Sequence, residues 1–179
     1  MLQTERLILR PWRSADLEPY AAMMADPEVG YWLAGTMTRD QCEAQITRFE
    51  AQFEARGFGL NAVERKADGA FLGFTGLAVT GATFAGTPVA GTVEIGWRLA
   101  RHAWGAGYAG EAARAVLAAA FGRLGLLEIV SFTAVGNVRS RAVMRRIGLA
   151  HDPKRDFDHP NLAADHPLLR HVVYAKTAP

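Results

Sequence analysis

Cysteine is almost missing from this chain. Cys42 stands alone among 179 residues, so no internal disulfide forms and a disulfide-stapled secreted scaffold is excluded. Long apolar runs are missing too. The longest, Ala115 to Phe121, is far short of the roughly 20 residues needed to cross a bilayer, so no membrane partner is expected. The opening Met1–Arg10 carries Glu5, Arg6 and Arg10 among its leucines, which reads as a first strand and not as a signal peptide; the expected compartment is the cytoplasm. There is no compact H-x-x-x-H and no cysteine pattern, so no metal is expected. Repeats, low-complexity stretches and linkers are also lacking. What remains is 50% hydrophobic and 21% charged, enough to bury a core, at a length that suits a single domain over residues 1–179.

The net charge of +2 hides an uneven distribution. Residues 1–97 hold 8 Lys/Arg against 12 Asp/Glu, residues 98–155 hold 10 against 3, and residues 156–179 hold 2 against 3. A positive middle third on a near-neutral chain points to a polyanionic small molecule or to nucleic acid, or else to helices with solvated basic faces. The aromatic-plus-basic interleaving of an RNA-binding sheet is absent, so nucleic acid is not the expected partner.

Pattern and punctuation place the elements. Arg6–Arg10 alternates as a strand ending at Pro11. Ser14 offers an N-cap for a helix through Leu17, Tyr20, Ala21 and Met24 that stops at Asp26-Pro27. Thr38 caps a second helix with Cys42, Ile46, Phe49 and Phe53 on one face, closed by Gly57. Residues 59–65 and 71–80 are strands joined by a turn at Lys66–Gly69, and 81–91 is a loop. Residues 92–99 form a strand, 105–110 a glycine turn, 112–124 a helix, 128–135 a strand, 137–147 a basic helix closed by Gly148, and 168–176 a last strand. The order β-α-α-β-β-β-α-β-α-β is a mixed α/β domain.

The turn Trp104-Gly105-Ala106-Gly107-Tyr108-Ala109-Gly110-Glu111 lies between a strand and a helix. Glycines let backbone N–H groups approach a phosphate, and the helix start adds partial positive charge. Read literally, Gly105, Gly107 and Gly110 spell the dinucleotide fingerprint G-x-G-x-x-G. A true fingerprint needs a tight strand-to-glycine turn, whereas Arg101-His102-Ala103-Trp104 intervenes. A pyrophosphate cradle and a merely structural turn are both open on this pattern alone.

Four stretches together carry a resemblance: Thr4-Glu5-Arg6-Leu7-Ile8-Leu9-Arg10-Pro11; Glu94-Ile95-Gly96-Trp97; the glycine turn followed by Glu111-Ala112; and Asn137-Val138-Arg139-Ser140 leading to Met144 and Gly148-Leu149. In order and spacing the chain resembles the GNAT acetyltransferase superfamily, in the branch of the ribosomal-protein alanine acetyltransferases RimJ and RimL. The resemblance implies a single-domain fold with a mostly antiparallel sheet of about six to seven strands, splayed at its centre and flanked by about four helices. It implies acetyl-CoA as donor and a homodimer as a plausible assembly. The turn His102, Ala103, Trp104, Gly105, Ala106, Gly107, Tyr108 and Ala109 would wrap the pyrophosphate. The backbone of Trp97, Arg98 and Leu99 would pair with the pantetheine arm, which Asn137 would contact from the other side. Arg139, Arg141 and above all Arg145 are candidates for the 3′-phosphate. Three positions depart from the family pattern: His102 where Gln or Arg is common, Gly110 where Thr or Ser is common, and Met144 where many relatives carry a tyrosine. Methionine cannot donate a proton.

Acetyl transfer needs a neutral amine, a polarised carbonyl and a stabilised leaving thiolate. Ser140 is the candidate proton donor, against a purely structural role at the helix end, and a backbone N–H near Trp97 is the candidate for polarising the carbonyl. At pH 7.5 an α-amine is about one-third neutral and a lysine about 0.1%, so the demand on a base depends on the acceptor. Glu94 is the candidate base, acting directly or through water, or else a cross-strand surface carboxylate. Asp158 and His159, in Arg155-Asp156-Phe157-Asp158-His159-Pro160, are candidate substrate residues, or part of a polar loop before the last strand. The function expected is acetyl-CoA-dependent N-acetylation of a protein N-terminus, a lysine or a small-molecule amine by direct transfer. A non-catalytic CoA-binding or nucleic-acid-binding module and a nicotinamide-dependent oxidoreductase are the alternatives.

Overall fold

The computed structural model describes residues 1–33 and 35–179. Among these residues it has nine strands and five α-helices, a mixed α/β fold whose strand pairs are mostly antiparallel. Two compact units emerge: residues 1–78 with 96–116, and residues 79–95 with 117–179.

The first unit is a run of strands against helices. β1 (Leu2–Gln3) and β2 (Leu7–Arg10) form an antiparallel pair, and β3 (Leu60–Arg65) lies beside β2 with Leu9 opposite Val63. β4 (Phe71–Val79) pairs with β3, and the last residues of β5 (Val93–Leu99) lie next to β4. The period-2 pattern of β2 buries Leu7 and Leu9 completely. α1 (Leu17–Ala25), the short α2 (Pro27–Gly30) and α3 (Arg39–Arg56) supply Tyr20, Met24, Val29, Cys42 and Phe49, which cluster with Trp12, Ala62 and Phe74. Trp12 anchors this cluster, its ring edge-on to Tyr20 at 5.1 Å and its indole N–H donating to the Leu60 carbonyl at 2.9 Å. Burial pushes the Cys42 thiol up, so the lone cysteine is an inert core residue.

One expectation needs correction here and two gain detail. Asp16, not Ser14, organises the start of the first helix: its Oδ2 accepts the Arg13 N–H at 2.8 Å, and a 3-10 turn over Ser14–Asp16 leads into α1. Asp26-Pro27 does end α1, but it also begins α2, because proline is pre-set for a first helical position and Asp26 caps it by accepting the Glu28 N–H at 2.9 Å. The hydrophobic stripe of α3 fades along its length, from a fully buried Cys42 to an exposed Phe53.

The second unit centres on β6 (Glu128–Ala134) and β9 (Arg170–Thr177), antiparallel over the whole of β6 from Glu128 opposite Thr177 to Ala134 opposite His171. β5 runs parallel to β6 with Glu94 opposite Val130, and β7 (Ala150–His151) and β8 (Phe157–Asp158) both pair with β9. Val89, Val130, Phe157 and Val173 form a cluster with Phe84 and Phe132, so the loop over 81–91 contributes a fully buried valine instead of only crossing the surface. α4 (Tyr108–Gly122) begins in the first unit and ends in the second, and α5 (Val138–Arg146) belongs to the second. Among the described residues no helix is long and apolar enough to cross a membrane.

Candidate active site

In the first unit the glycine turn is built by backbone conformation. Gly105 and Gly107 have φ of 77° and 81°, the left-handed region that side chains avoid. A Cβ at Gly105 would meet nothing within 4 Å, so conformation and not space demands that glycine; at Gly107 an Arg6 nitrogen lies 3.6 Å away. Residues 105–107 are exposed. The helix starts at Tyr108, four residues earlier than expected, because the Glu111 N–H donates to the Gly107 carbonyl at 3.1 Å and closes the first turn there. Gly110 is therefore a buried helical residue and not part of the turn, which leaves the literal dinucleotide fingerprint without its third glycine. Exposed backbone leading into the N–H groups that open a long helix suits an anionic, extended ligand such as a pyrophosphate.

The approach to the turn is firmly held. The Trp104 indole N–H donates to the Leu99 carbonyl at 2.8 Å, Ala103 is buried, and His102 is exposed. On β5 the Gly96 carbonyl accepts the Thr75 hydroxyl at 2.8 Å. The Arg98 side chain turns into the helix cluster, its guanidinium 5.2 Å from the Phe74 ring centroid and 3.2 Å from the Met24 sulfur, so only its backbone is placed for a donor role. Trp97 is half-buried.

A network not anticipated from sequence braces the turn from the N-terminal strand. The Arg6 Nε donates to Glu111 Oε2 at 2.7 Å, its Nη1 to the Ala106 carbonyl at 3.1 Å, and its backbone N–H to Glu111 Oε1 at 2.9 Å. The Thr4 hydroxyl adds a bond to Glu111 Oε1 at 2.5 Å, and the Arg6 guanidinium sits 4.6 Å over the Tyr108 ring. Burial works against the Glu111 anion, but the bonds from Thr4 and Arg6 hold its carboxyl below the usual range. An acidic residue in the first turn of a helix is ordinary, so Glu111 gave no signal in the sequence.

In the second unit Asn137 caps α5. Its Oδ1 accepts the Ser140 N–H at 3.2 Å and its amide donates to the Thr133 hydroxyl at 3.0 Å. Asn137 therefore has a structural role whatever else it touches. Ser140 lies half-buried in the first turn of α5, and Met144 is fully buried beneath that helix. Arg141 and Arg145 both point at the Tyr174 hydroxyl, each at 3.4 Å. Glu94 is half-buried on β5 opposite Val130.

The segment over 155–159 is mostly architecture. Asp156 accepts the Val173 N–H at 2.9 Å and faces His151 at 3.0 Å; Asp158 is exposed and pairs with Arg170 at 3.3 Å. His159 and His171 lie 5.0 Å apart among Phe84, Phe132 and Phe157, and burial holds both below their ordinary values. Among the described residues no three His, Cys, Asp or Glu side chains come together as a metal site.

Comparison with known proteins agrees with this geometry. The family model of the acetyltransferase (GNAT) domain matches residues 6–150. A curated Aspergillus fumigatus protein, FsC-acetyl coenzyme A-N(2)-transacetylase, is 47% identical over 58 residues, a match spanning 32% of this chain and only a quarter of that protein's length. The uncharacterized protein YkkB of Bacillus subtilis is 29% identical over 83% of this chain and 84% of its own. The crystal structure of an acetyltransferase from Agrobacterium tumefaciens superposes with a TM-score of 0.78 at 30% identity, covering 98% of this chain and 92% of that one. The mostly antiparallel α/β fold, the glycine turn at the head of α4 and the family match over most of the length converge: the chain belongs to the GNAT acetyltransferase family.

Proposed function

We propose that this protein moves an acetyl group to a primary amine by direct transfer, within a RimJ/RimL-like branch of the family, in the cytoplasm and as one acetyltransferase domain. The observation that carries the site reading is the pair of left-handed glycines, Gly105 and Gly107, opening exposed backbone onto the start of α4. Residues 102–109 hold the pyrophosphate through backbone N–H groups. The backbone of Trp97–Leu99 pairs with the pantetheine arm, short of the Leu99 carbonyl that Trp104 already occupies. Acetyl-CoA supplies the acetyl group and carries the leaving thiolate.

The chain's own groups handle protons. Glu94, half-buried on β5, removes a proton from the incoming ammonium directly or through water. The amine nitrogen bonds to the carbonyl carbon, the carbon–sulfur bond breaks, the thiolate takes its proton from Ser140, and the proton that the nitrogen sheds as the amide forms returns to the serine oxygen; the place of Ser140 in the first turn of α5 also favours an anion. A thiol with an ordinary value near 8.5 leaves readily, so the demand on Ser140 is modest. Solved relatives of the fold include the RimL ribosomal L7/L12 α-N-protein acetyltransferase, with a TM-score of 0.76 at 14% identity, and a Vibrio cholerae spermidine N-acetyltransferase, with a TM-score of 0.72 at 14% identity. An α-amine and an aliphatic polyamine are thus the two acceptor types to screen first. Calorimetry with acetyl-CoA, and NADH alongside it, tests the donor reading. Micromolar acetyl-CoA binding without NADH binding is expected; the reverse would return the oxidoreductase reading.

A further inference from the structure

We propose that Arg6 and Glu111 form a positioning pair for the donor: Arg6 neutralises a carboxylate that would otherwise repel the pyrophosphate from the start of α4, and pins the turn through the Ala106 carbonyl. The inference rests on the reading of residues 102–109 as a pyrophosphate cradle. Three observations carry it. Glu111 sits in the first turn of α4, and its bonds from Thr4 and Arg6 hold its carboxyl below the usual range despite its burial. Its oxygens accept from the Thr4 hydroxyl and from the backbone and side chain of Arg6. The same guanidinium reaches the turn backbone at Ala106 and covers Tyr108, so one side chain fixes both charge and shape.

A carboxylate and a phosphate competing for one helix end repel each other across distances shorter than the screening length of about 8 Å at physiological salt. With Arg6 in place the carboxylate is compensated, and the partial positive charge of α4 remains for the ligand. Arg6 thus acts through Glu111 and the turn, without any need to touch the substrate. The Arg6 side chain is 44% exposed and Glu111 15%, so the readout that separates donor positioning from stability is ligand affinity.

The test uses the full chain and calorimetric titration with acetyl-CoA and with dephospho-CoA, which keeps the pyrophosphate and lacks the 3′-phosphate. Arg6→Met should weaken both ligands by about tenfold and leave their ratio unchanged. Adding Glu111→Gln to Arg6→Met should return affinity to within about threefold of the parent, because the uncompensated charge is gone. Glu111→Gln alone should bind acetyl-CoA at least as tightly as the parent, which keeps the idea testable even if Arg6→Met does not fold. A tenfold loss in Glu111→Gln, or no recovery in the double variant, overturns the charge argument. Gly107→Val separates the cradle from the pairing. If it abolishes binding while Arg6→Met has no effect, the cradle stands and the pairing falls. If Gly107→Val binds normally, the cradle itself falls and the pairing with it.

Discussion

Arg6 and Arg10 stand four residues apart at the opening of the chain and do opposite things. Arg10 is 4% exposed; it grips Asp16 with two bonds of 2.7 and 2.8 Å and Glu64 with a third of 2.6 Å. Arg6 is exposed, and its partners are Glu111 and the backbone of the glycine turn. One strand thus supplies an internal strut and an external brace from the same residue type. Their surroundings decide which is which. A buried guanidinium cannot be left without its anions, while an exposed one can be lost from the fold and missed only by the site.

The comparison can be broken from the largest effect downward. Asp16→Ala takes one of two carboxylates from a buried guanidinium, leaving Glu64 and the Pro11 carbonyl, and should cost about 3 kcal/mol of stability by urea denaturation. The folded fraction should still bind acetyl-CoA normally; weakened binding would mean that the strut also serves the site. Gly107→Val should do the reverse: acetyl-CoA affinity falls at least about 100-fold, or about 2.7 kcal/mol, with a smaller change in melting temperature. Ser140→Ala should lower kcat about tenfold with little change in the donor KM, since the leaving thiolate needs only modest help. An unchanged kcat would make Ser140 structural.

The smallest effect concerns His159 and His171, whose values in the folded state are lowered by burial. The unfolded chain then binds more protons than the folded one once the pH drops through about 6.5, so stability is fully present above that value and declines below it. His171→Phe should flatten melting temperature against pH between about 7 and 5. An unaltered slope would assign the acid sensitivity to other groups.

Much of the fold was readable where local chemistry is strong. Thr38 and Gln41 form a reciprocal cap on α3, with bonds of 3.3 and 2.8 Å, and Gly57 ends that helix with a φ of 73°. The turn at Lys66–Gly69 and the core strands β3 to β6 followed from their punctuation. The two-residue strands β1, β7 and β8 were invisible because two residues hold no period; they exist only because β2 and β9 offer them edges. The glycine turn announced itself by composition, yet its boundary lay at Tyr108, where positive φ ended and not where glycines ended. The acidic segment before β9 read as a polar loop or a substrate contact, because the backbone partner of Asp156, the Val173 N–H, cannot be seen in a sequence. The Arg6 brace was hidden for a similar reason, as it joins residues 105 positions apart.

That separation gives the brace a place in time. At a synthesis rate of roughly 5–20 residues per second, Arg6 leaves the ribosome about 5–20 s before Glu111 does. Arg10 meets Asp16 within a few residues of its own synthesis, so that half of the strut can form early and locally, while its bond to Glu64 waits for a residue 54 positions on. The brace is a late, long-range closure of the kind that slows folding. A nascent chain therefore holds the Arg10–Asp16 pair before its donor turn can be braced.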